Sequence, residues 1–153
     1  MNQLEILFRL FLSLLLGGLL GFERTYAGRA AGLRTYAIVC SASSLIMMTN
    51  LYIFSSLNAS DPVRLGAQVI SGIGFLGAGS ILVTGRHRQQ IKGLTTAAAL
   101  WASGAIGLAC GCGYYFAAIV TTLLIFFSMH FLKYLEKKLF VKEKTLVFYM
   151  ELD

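Results

Sequence analysis

Residues 93–132, GLTTAAALWASGAIGLACGCGYYFAAIVTTLLIFFSMHFL, form a stretch of forty positions without a formal charge. One transmembrane helix needs about 20 apolar residues to cross a hydrocarbon core of about 30 Å, so this stretch is long enough for two. The sequence Gly111-Cys112-Gly113-Tyr114 interrupts it near its middle, and paired glycines permit a tight turn. The stretch therefore predicts two membrane-spanning helices joined at residues 111–114.

Three further spans are predicted on the N-terminal side of this stretch, at residues 4–22, 35–57 and 62–84. In the first, Glu5 and Arg9 are spaced to pair, with the Arg9 side chain extending towards water. The third is predicted to begin at Ser60-Asp61-Pro62, because Ser or Asp accepts free backbone N–H groups and Pro fits the first helical position.

The composition of the whole chain agrees with a lipid environment. Of its 153 residues 57% are hydrophobic and 13% are charged, and the mean hydropathy is +0.72. A soluble domain usually carries about 25% charged residues. The predicted fold is therefore an all-α, polytopic bundle of five transmembrane helices at residues 1–132, followed by a short basic cytoplasmic tail at residues 133–153. Within the tail, residues 145–152 have strand-like composition.

The basic residues predict the orientation of the bundle. The net charge is +6, and eleven of the thirteen Lys and Arg residues fall in segments that would share one membrane face. Such a distribution is the positive-inside pattern, and it argues against nucleic acid as the partner. We expect a multi-pass protein of the bacterial inner membrane with its N-terminus outside and its C-terminus in the cytoplasm.

Small residues are concentrated in the first, third and fourth predicted helices. Rows such as Gly17-xxx-Gly21 and Ser103-xxx-Gly107-xxx-Gly111 allow helix backbones to approach closely. The third helix has the most glycines, and we expect it to be central. Two uses of these rows stay open, packing within one chain and a dimer face. We predict a homodimer or larger assembly.

The start of the third helix carries a candidate polar site. Asp61, Arg64 and Gln68 lie at i, i+3 and i+7, and Ser71 continues the same helical stripe. Polar groups within a span are costly unless they are paired or solvated, so the stripe predicts a polar pocket or ion site. The alternative is that Asp61 only caps the helix and pairs locally with Arg64.

A second polar group is predicted at the cytoplasmic helix ends and comprises Glu23, Arg24, Arg34 and Thr95. Most of these residues would ordinarily be exposed to water and serve only to set the orientation in the membrane. An acid beside several bases, however, suggests a specific ion pair for Glu23. Asn50, in the middle of a span, is expected to make a hydrogen bond between helices rather than bind a ligand.

No pattern in the sequence predicts a catalytic site, a cofactor or a metal. His87 and His130 are far apart, and Cys110-Gly-Cys112 lacks the partners of a zinc site. There is no phosphate-binding Gly-x-x-x-x-Gly-Lys motif in the chain. Three cysteines in apolar or glycine-rich sequence are expected to be buried free thiols. We expect a protein that is not an enzyme.

Five ordered motifs then identify a family. They are Gly17-Gly-Leu-Leu-Gly-Phe-Glu-Arg24, Ala31-Gly-Leu-Arg-Thr35, Asp61-Pro-Val-Arg-Leu-Gly-Ala-Gln68, Ser71-Gly-Ile-Gly-Phe-Leu-Gly-Ala-Gly79 and Lys92-Gly-Leu-Thr-Thr-Ala-Ala98. In order and spacing they resemble the signatures of the MgtC/SapB family over residues 4–132. Several ordered motifs are far more specific than one small-residue pattern.

The resemblance implies a membrane protein that, in pathogens, supports growth at low magnesium and virulence through survival inside macrophages, partly by restraining the proton-driven ATP synthase. It also implies that Asp61 and Cys110 are functionally sensitive positions. Longer members of the family continue into a small cytoplasmic α/β domain. Two interpretations of residues 133–153 therefore stay open, a tail alone or the start of such a domain.

Two classes of function follow. The first is a regulatory membrane protein that binds partner helices, which the small-residue rows favour. The second is a homo-oligomeric transporter of magnesium, another cation or a small solute that uses the stripe of Asp61, Arg64 and Gln68, which its charged residues favour.

Overall fold

The computed structural model describes residues 2–57, 61–84 and 93–149, and within them the chain is helical without a strand. The helices are α1 (Gln3–Tyr26), α2 (Leu33–Leu57), α3 (Arg64–Thr84), α4 (Leu94–Cys112) and α5 (Tyr115–Tyr149). The prediction of an all-α bundle of five helices is confirmed.

The turn between α4 and α5 lies where the sequence predicts it. Gly113 has a φ of +88°, a backbone conformation that favours glycine. The N–H groups of Gly113 and Tyr114 donate to the carbonyl oxygens of Cys110 and Ala109, at 3.1 and 2.8 Å. These bonds satisfy carbonyl groups that the end of α4 would otherwise leave unpaired.

Four of the described helices, α1, α2, α4 and the part of α5 at Tyr115–Leu132, are long and apolar enough to cross a membrane. α3 has 21 residues, which at 1.5 Å per residue gives about 32 Å, also enough for a hydrocarbon core. That α3 crosses the membrane stays a prediction. Large apolar side chains cover the outside of the bundle, among them Phe11, Ile38 and Leu124, as expected for a surface in contact with lipid.

The central helix is α4, and the prediction that the third helix is central is wrong. α4 contacts all four other helices, whereas α3 contacts only α2 and α4. Glycines on α4 explain its position. A Cβ atom on Gly107 would lie 2.1 Å from the Cys40 carbonyl oxygen, and one on Gly111 would lie 2.5 Å from the Ser44 carbonyl oxygen. The α2 backbone therefore fits directly against α4.

The small residues of α1 have the same use. A Cβ atom on Gly17 would lie 2.5 Å from the Cys40 Cβ atom, and one on Gly21 would lie 2.6 Å from the Leu33 Cα atom. α1, α2 and α4 therefore form a close-packed core, in which glycines without side chains allow the helices to approach each other closely. For α1 and α4, the interpretation of the small-residue rows as packing within one chain is confirmed.

α3 differs, because one of its faces is exposed. We define the α3 face as Gln68, Ser71, Gly72, Phe75 and Gly79, which follow helical spacing and are all exposed. Phe75 is 81% exposed, and a Cβ atom on Gly72 or Gly79 would have no described neighbour within 4 Å. The small residues of α3 are thus only partly used inside the chain.

The bundle has two ends. The Asn2 end contains the start of α1 and the α4–α5 turn, since Arg9 contacts Gly111. The Arg29 end contains the loop at residues 27–32 and the start of α4, since Tyr36 contacts Thr96.

Residues 145–149, which have strand-like composition, are helical and continue α5 to Tyr149. Residues 150–152 lie outside the described part of the chain. A single strand has no partner for its backbone hydrogen bonds, whereas a helix satisfies them within itself.

Candidate functional site

The candidate stripe on α3 is exposed along its length, at Asp61, Arg64, Gln68 and Ser71. Asp61 Oδ1 accepts a hydrogen bond from the Val63 N–H at 3.0 Å. Although both residues are described, no ion pair joins Asp61 to Arg64. Asp61 therefore caps the turn that precedes α3, and α3 itself begins at Arg64 rather than at the predicted Pro62.

A buried amide fixes the start of α3 against α2. Asn50 Oδ1 accepts a hydrogen bond from the Leu65 N–H at 3.3 Å, and Asn50 Nδ2 donates to the Pro62 carbonyl oxygen. The predicted role of Asn50 in a hydrogen bond between helices is confirmed. Because Pro62 and Leu65 enclose the start of α3, Asn50 also sets where Asp61 and Arg64 lie.

Gln68 belongs to a different environment from the two charged residues. It lines a groove of about 470 Å³ between α2 and α3, whose walls are Leu45, Ile46, Thr49, Leu65, Gln68 and Val69. The groove is mostly apolar and carries two polar groups. Asp61, Arg64 and Ser71 do not line it, so the structure does not enclose the four predicted residues in one pocket of a single chain.

The second predicted group is divided by the structure. Glu23 and Arg24 form a buried ion pair, each residue 5% exposed, so the specific pair expected for Glu23 is present. Arg34 is exposed and lines a pocket beside the loop at residues 27–32. Thr95 lines a separate groove between α4 and α5.

Two further residues lie near the Glu23–Arg24 pair at the Arg29 end. The Tyr36 hydroxyl is fully buried and donates to the Thr96 carbonyl oxygen at 2.9 Å, which ties α2 to the start of α4. The charges of Glu23 and Arg24 are both buried away from water, so each is neutralised by the other.

The sequence did not predict a cluster around Arg9. The Arg9 guanidinium donates to Glu5, to the Gly111 carbonyl oxygen and, at 3.1 Å, to the Tyr115 hydroxyl. The predicted pair with Glu5 is confirmed, but the expected extension of Arg9 into water is wrong, because Arg9 is only 8% exposed. A lone arginine within an apolar segment was the available signal, since such residues usually face the bundle interior.

The cysteines are free, and Cys40 and Cys110 are buried as expected, whereas Cys112 is exposed. Cys110 belongs to the buried core cluster that also contains Leu20, Tyr36 and Cys40. Nowhere in the described segments do three His, Cys, Asp or Glu side chains come close enough to hold a metal ion. Cys110 has no exposed surface and is therefore a core residue.

Apolar helix surfaces, charges paired inside the bundle and polar groups at its two ends define a polytopic helical membrane protein. Residues 10–138 match the sequence profile of the MgtC family. The chain belongs to this family, and the expectation from the five sequence motifs is confirmed.

Curated relatives agree with this assignment. The chain is 41% identical over 134 residues to the Escherichia coli (strain K12) protein named "Putative magnesium transporter YhiD", covering 82% of this chain and 61% of that protein. It is 38% identical over 125 residues to Protein MgtC of Salmonella typhimurium (strain LT2), covering 82% of this chain and 51% of that protein. An uncharacterized Haemophilus influenzae protein is 40% identical over 134 residues, covering 84% and 56%.

The chain thus spans between about half and three-fifths of the length of these relatives. No solved structure matches it.

Proposed function

We propose that this protein is a regulatory membrane protein, not an enzyme, that supports bacterial adaptation to low magnesium by binding a partner membrane helix on the α3 face. The observation that carries the proposal is that Gly72 has no described neighbour within 4 Å, although it lies in the described helix with the most glycines. The E. coli relative is named for magnesium, which supports magnesium supply as the physiological context.

The physical argument concerns how helices associate in lipid. Lipid tails are as apolar as leucine, so two helices gain little from hydrophobic burial and associate mainly through close packing. Gly17 and Gly107 provide that packing inside the chain. The α3 face has the same small residues, with Phe75 available to fill a facing surface and Gln68 and Ser71 to hydrogen-bond.

The resemblance to the family makes two partners the first to test. One is a helix of the proton-driven ATP synthase, whose restraint the family resemblance implies. The other is a second copy of this chain, because two α3 faces brought together would form a homodimer. A mass measurement in native-like lipid separates them, since the purified protein alone forms a dimer only in the second case.

The proposed orientation is N-terminus outside and C-terminus in the cytoplasm of the bacterial inner membrane. The Arg29 end, which carries Arg29 and Arg34, would then face the cytoplasm. Reporter fusions at residue 58 and after the last residue test it. A cytoplasmic signal at residue 58, or an external signal from the C-terminus, would contradict this orientation.

The deciding experiment compares Gly72→Leu with Gly18→Leu in a bacterial strain that lacks its own relative and grows poorly in magnesium-poor medium. Gly18 is the matched control, because it too has no described neighbour within 4 Å but lies on α1. We expect both variants to reach normal membrane abundance and only Gly72→Leu to lose growth rescue. Full rescue by Gly72→Leu at normal abundance would remove the basis of the proposal.

A second candidate function is a homo-oligomeric transporter of magnesium, another cation or a small solute. It is favoured by the exposure of Arg64 and Gln68 on α3 and of Asp61 in the turn before it, because polar groups there would be shielded from lipid if copies of α3 surrounded a path. Flux of magnesium into liposomes containing the purified protein distinguishes the two functions. Flux that Asp61→Ala abolishes supports transport, and its absence at full reconstitution supports the regulatory function.

A further inference from the structure

The loop at residues 27–32, between α1 and α2, forms one side of a polar pocket at the Arg29 end. The pocket has a volume of about 460 Å³ and is lined by Thr25, Arg29, Ala30, Gly32, Leu33, Arg34 and Thr35. Compared with the groove between α2 and α3, its lining is richer in polar groups. No residue of α3 lines this pocket.

The backbone holds this loop in place. The Arg29 N–H donates to the Arg24 carbonyl oxygen at 3.0 Å, and the Leu33 N–H donates to Thr25 Oγ1 at 2.8 Å. A Cβ atom on Gly32 would lie 2.4 Å from Thr25 Oγ1, so the loop approaches α1 more closely than a side chain would permit. The shape of the pocket is therefore set before any ligand binds.

The pocket carries positive charge that the described residues do not neutralise. Arg9 is paired with Glu5, and Arg24 with Glu23. Arg29 and Arg34 are exposed, and neither forms an ion pair with another described side chain. Two guanidinium groups at one concave surface suit a phosphate group, which they can contact through several N–H donors.

Leu33 is part of the lining, and further exposed apolar side chains lie on the last turns of α1, the helix that leads into the loop. Phe22 is 59% exposed and Tyr26 is 88% exposed, both in the last turns of α1, and Leu33 at the start of α2 is also exposed. This position is where a span meets the membrane interface, a depth at which aromatic side chains are enriched. A ligand that fits both surfaces has an anionic group and an apolar chain.

We infer that the pocket binds the headgroup of an anionic phospholipid. The phosphodiester contacts Arg29 and Arg34, and an acyl chain lies along Phe22 and Leu33. Basic pockets between membrane helices are suited to such headgroups. A soluble phosphate would contact the two arginines but not the apolar side chains, whereas a phospholipid would contact both. This site is independent of the proposed function, because none of its lining residues lies on α3.

The test is native mass spectrometry of the full chain, delipidated in detergent and then mixed with phosphatidylglycerol or phosphatidylcholine. We expect the first lipid to be retained in preference to the second. Arg29→Gln and Arg34→Gln should each lower that preference about fivefold, the attraction expected for one basic residue at an anionic surface. Both side chains are exposed, so the variants should keep the thermal stability of the parent protein.

Lys138→Gln is the matched control, since it removes one exposed positive charge from α5 and none from the pocket. A loss of lipid preference in Lys138→Gln equal to that in Arg29→Gln would show a general charge effect and would overturn the site. Unchanged preference in a folded Arg29→Gln/Arg34→Gln variant would overturn it too. The last measurement adds inorganic phosphate to the protein with bound phosphatidylglycerol. If phosphate at millimolar concentration displaces phosphatidylglycerol completely, the pocket is one for soluble phosphate rather than for lipid.

Discussion

The Asn50 side chain in α2 accepts a hydrogen bond of 3.3 Å from the backbone N–H of Leu65, in the first turn of α3. Asn50 is buried, and its amide nitrogen bonds the carbonyl oxygen of Pro62. One amide thus satisfies both a donor and an acceptor at the start of α3. Because α3 contacts only α2 and α4 among the described helices, this connection ties the helix that carries the proposed interaction face to one of its two neighbours.

Replacement of Asn50 by Leu should destabilise the bundle and release the start of α3. The substitution keeps most of the volume but leaves the Leu65 N–H and the Pro62 carbonyl without their partner, at a cost of about 1–3 kcal/mol for a buried group. Thermal unfolding in detergent measures the loss. Thr49→Val, at the exposed neighbouring position, is the control and should change the midpoint little. Equal midpoints for both variants would mean that the Asn50 bonds do not matter.

Asp61→Asn distinguishes a helix cap from a charged site. An asparagine can still accept the Val63 N–H, so stability should stay within about 1 kcal/mol of the parent protein. If the carboxylate charge is required, growth rescue in magnesium-poor medium should nevertheless be lost. Asp61→Ala, which removes both cap and charge, is measured beside it for membrane abundance and thermal stability. Full rescue by Asp61→Asn at normal abundance would leave Asp61 as a cap alone.

Gly107→Ala should destabilise the protein strongly, whereas Gly18→Ala should not. A Cβ atom at residue 107 would lie 2.1 Å from a backbone oxygen of α2, which cannot move without separating the helices. Overpacking of this kind costs about 1–3 kcal/mol or more. At residue 18 the space is open, and alanine should raise the stability by about 0.5–1 kcal/mol because it favours the helix. A Gly107→Ala variant as stable as the parent would show that α2 and α4 are not closely packed.

Removal of one charge from the buried Glu23–Arg24 pair should cost more than removal of both. Glu23→Gln leaves the Arg24 guanidinium uncompensated inside the bundle, and breaking a buried pair in this way costs about 3–5 kcal/mol. Glu23→Gln combined with Arg24→Met leaves no buried charge and should recover part of that loss. A double-mutant cycle of unfolding measurements gives the coupling. Strict additivity of the two substitutions would refute the pairing.

The sequence by itself determined that residues 93–132 form two helices and where the chain turns between them. Residues 93–132 carry no charge, and backbone groups placed in lipid must bond within their own segment, so a helix was required. Gly113 then ended α4, because a positive φ is accessible to glycine. The same local chemistry predicted the pairing of Glu5 with Arg9, which lie one helical turn apart.

Only the tertiary structure decided which helix is central and what each small residue meets. A glycine permits a close approach but does not specify the partner, and lipid is as apolar as a helix interior, so exposed and packed faces have similar composition. Gly72 and Gly107 therefore look alike in the sequence, although Gly72 has no described neighbour within 4 Å and Gly107 lies against Cys40. Arg9 shows the same limit, because its bonds to Gly111 and Tyr115 join residues more than 100 positions apart, and they exist only once α1 has packed beside the α4–α5 turn.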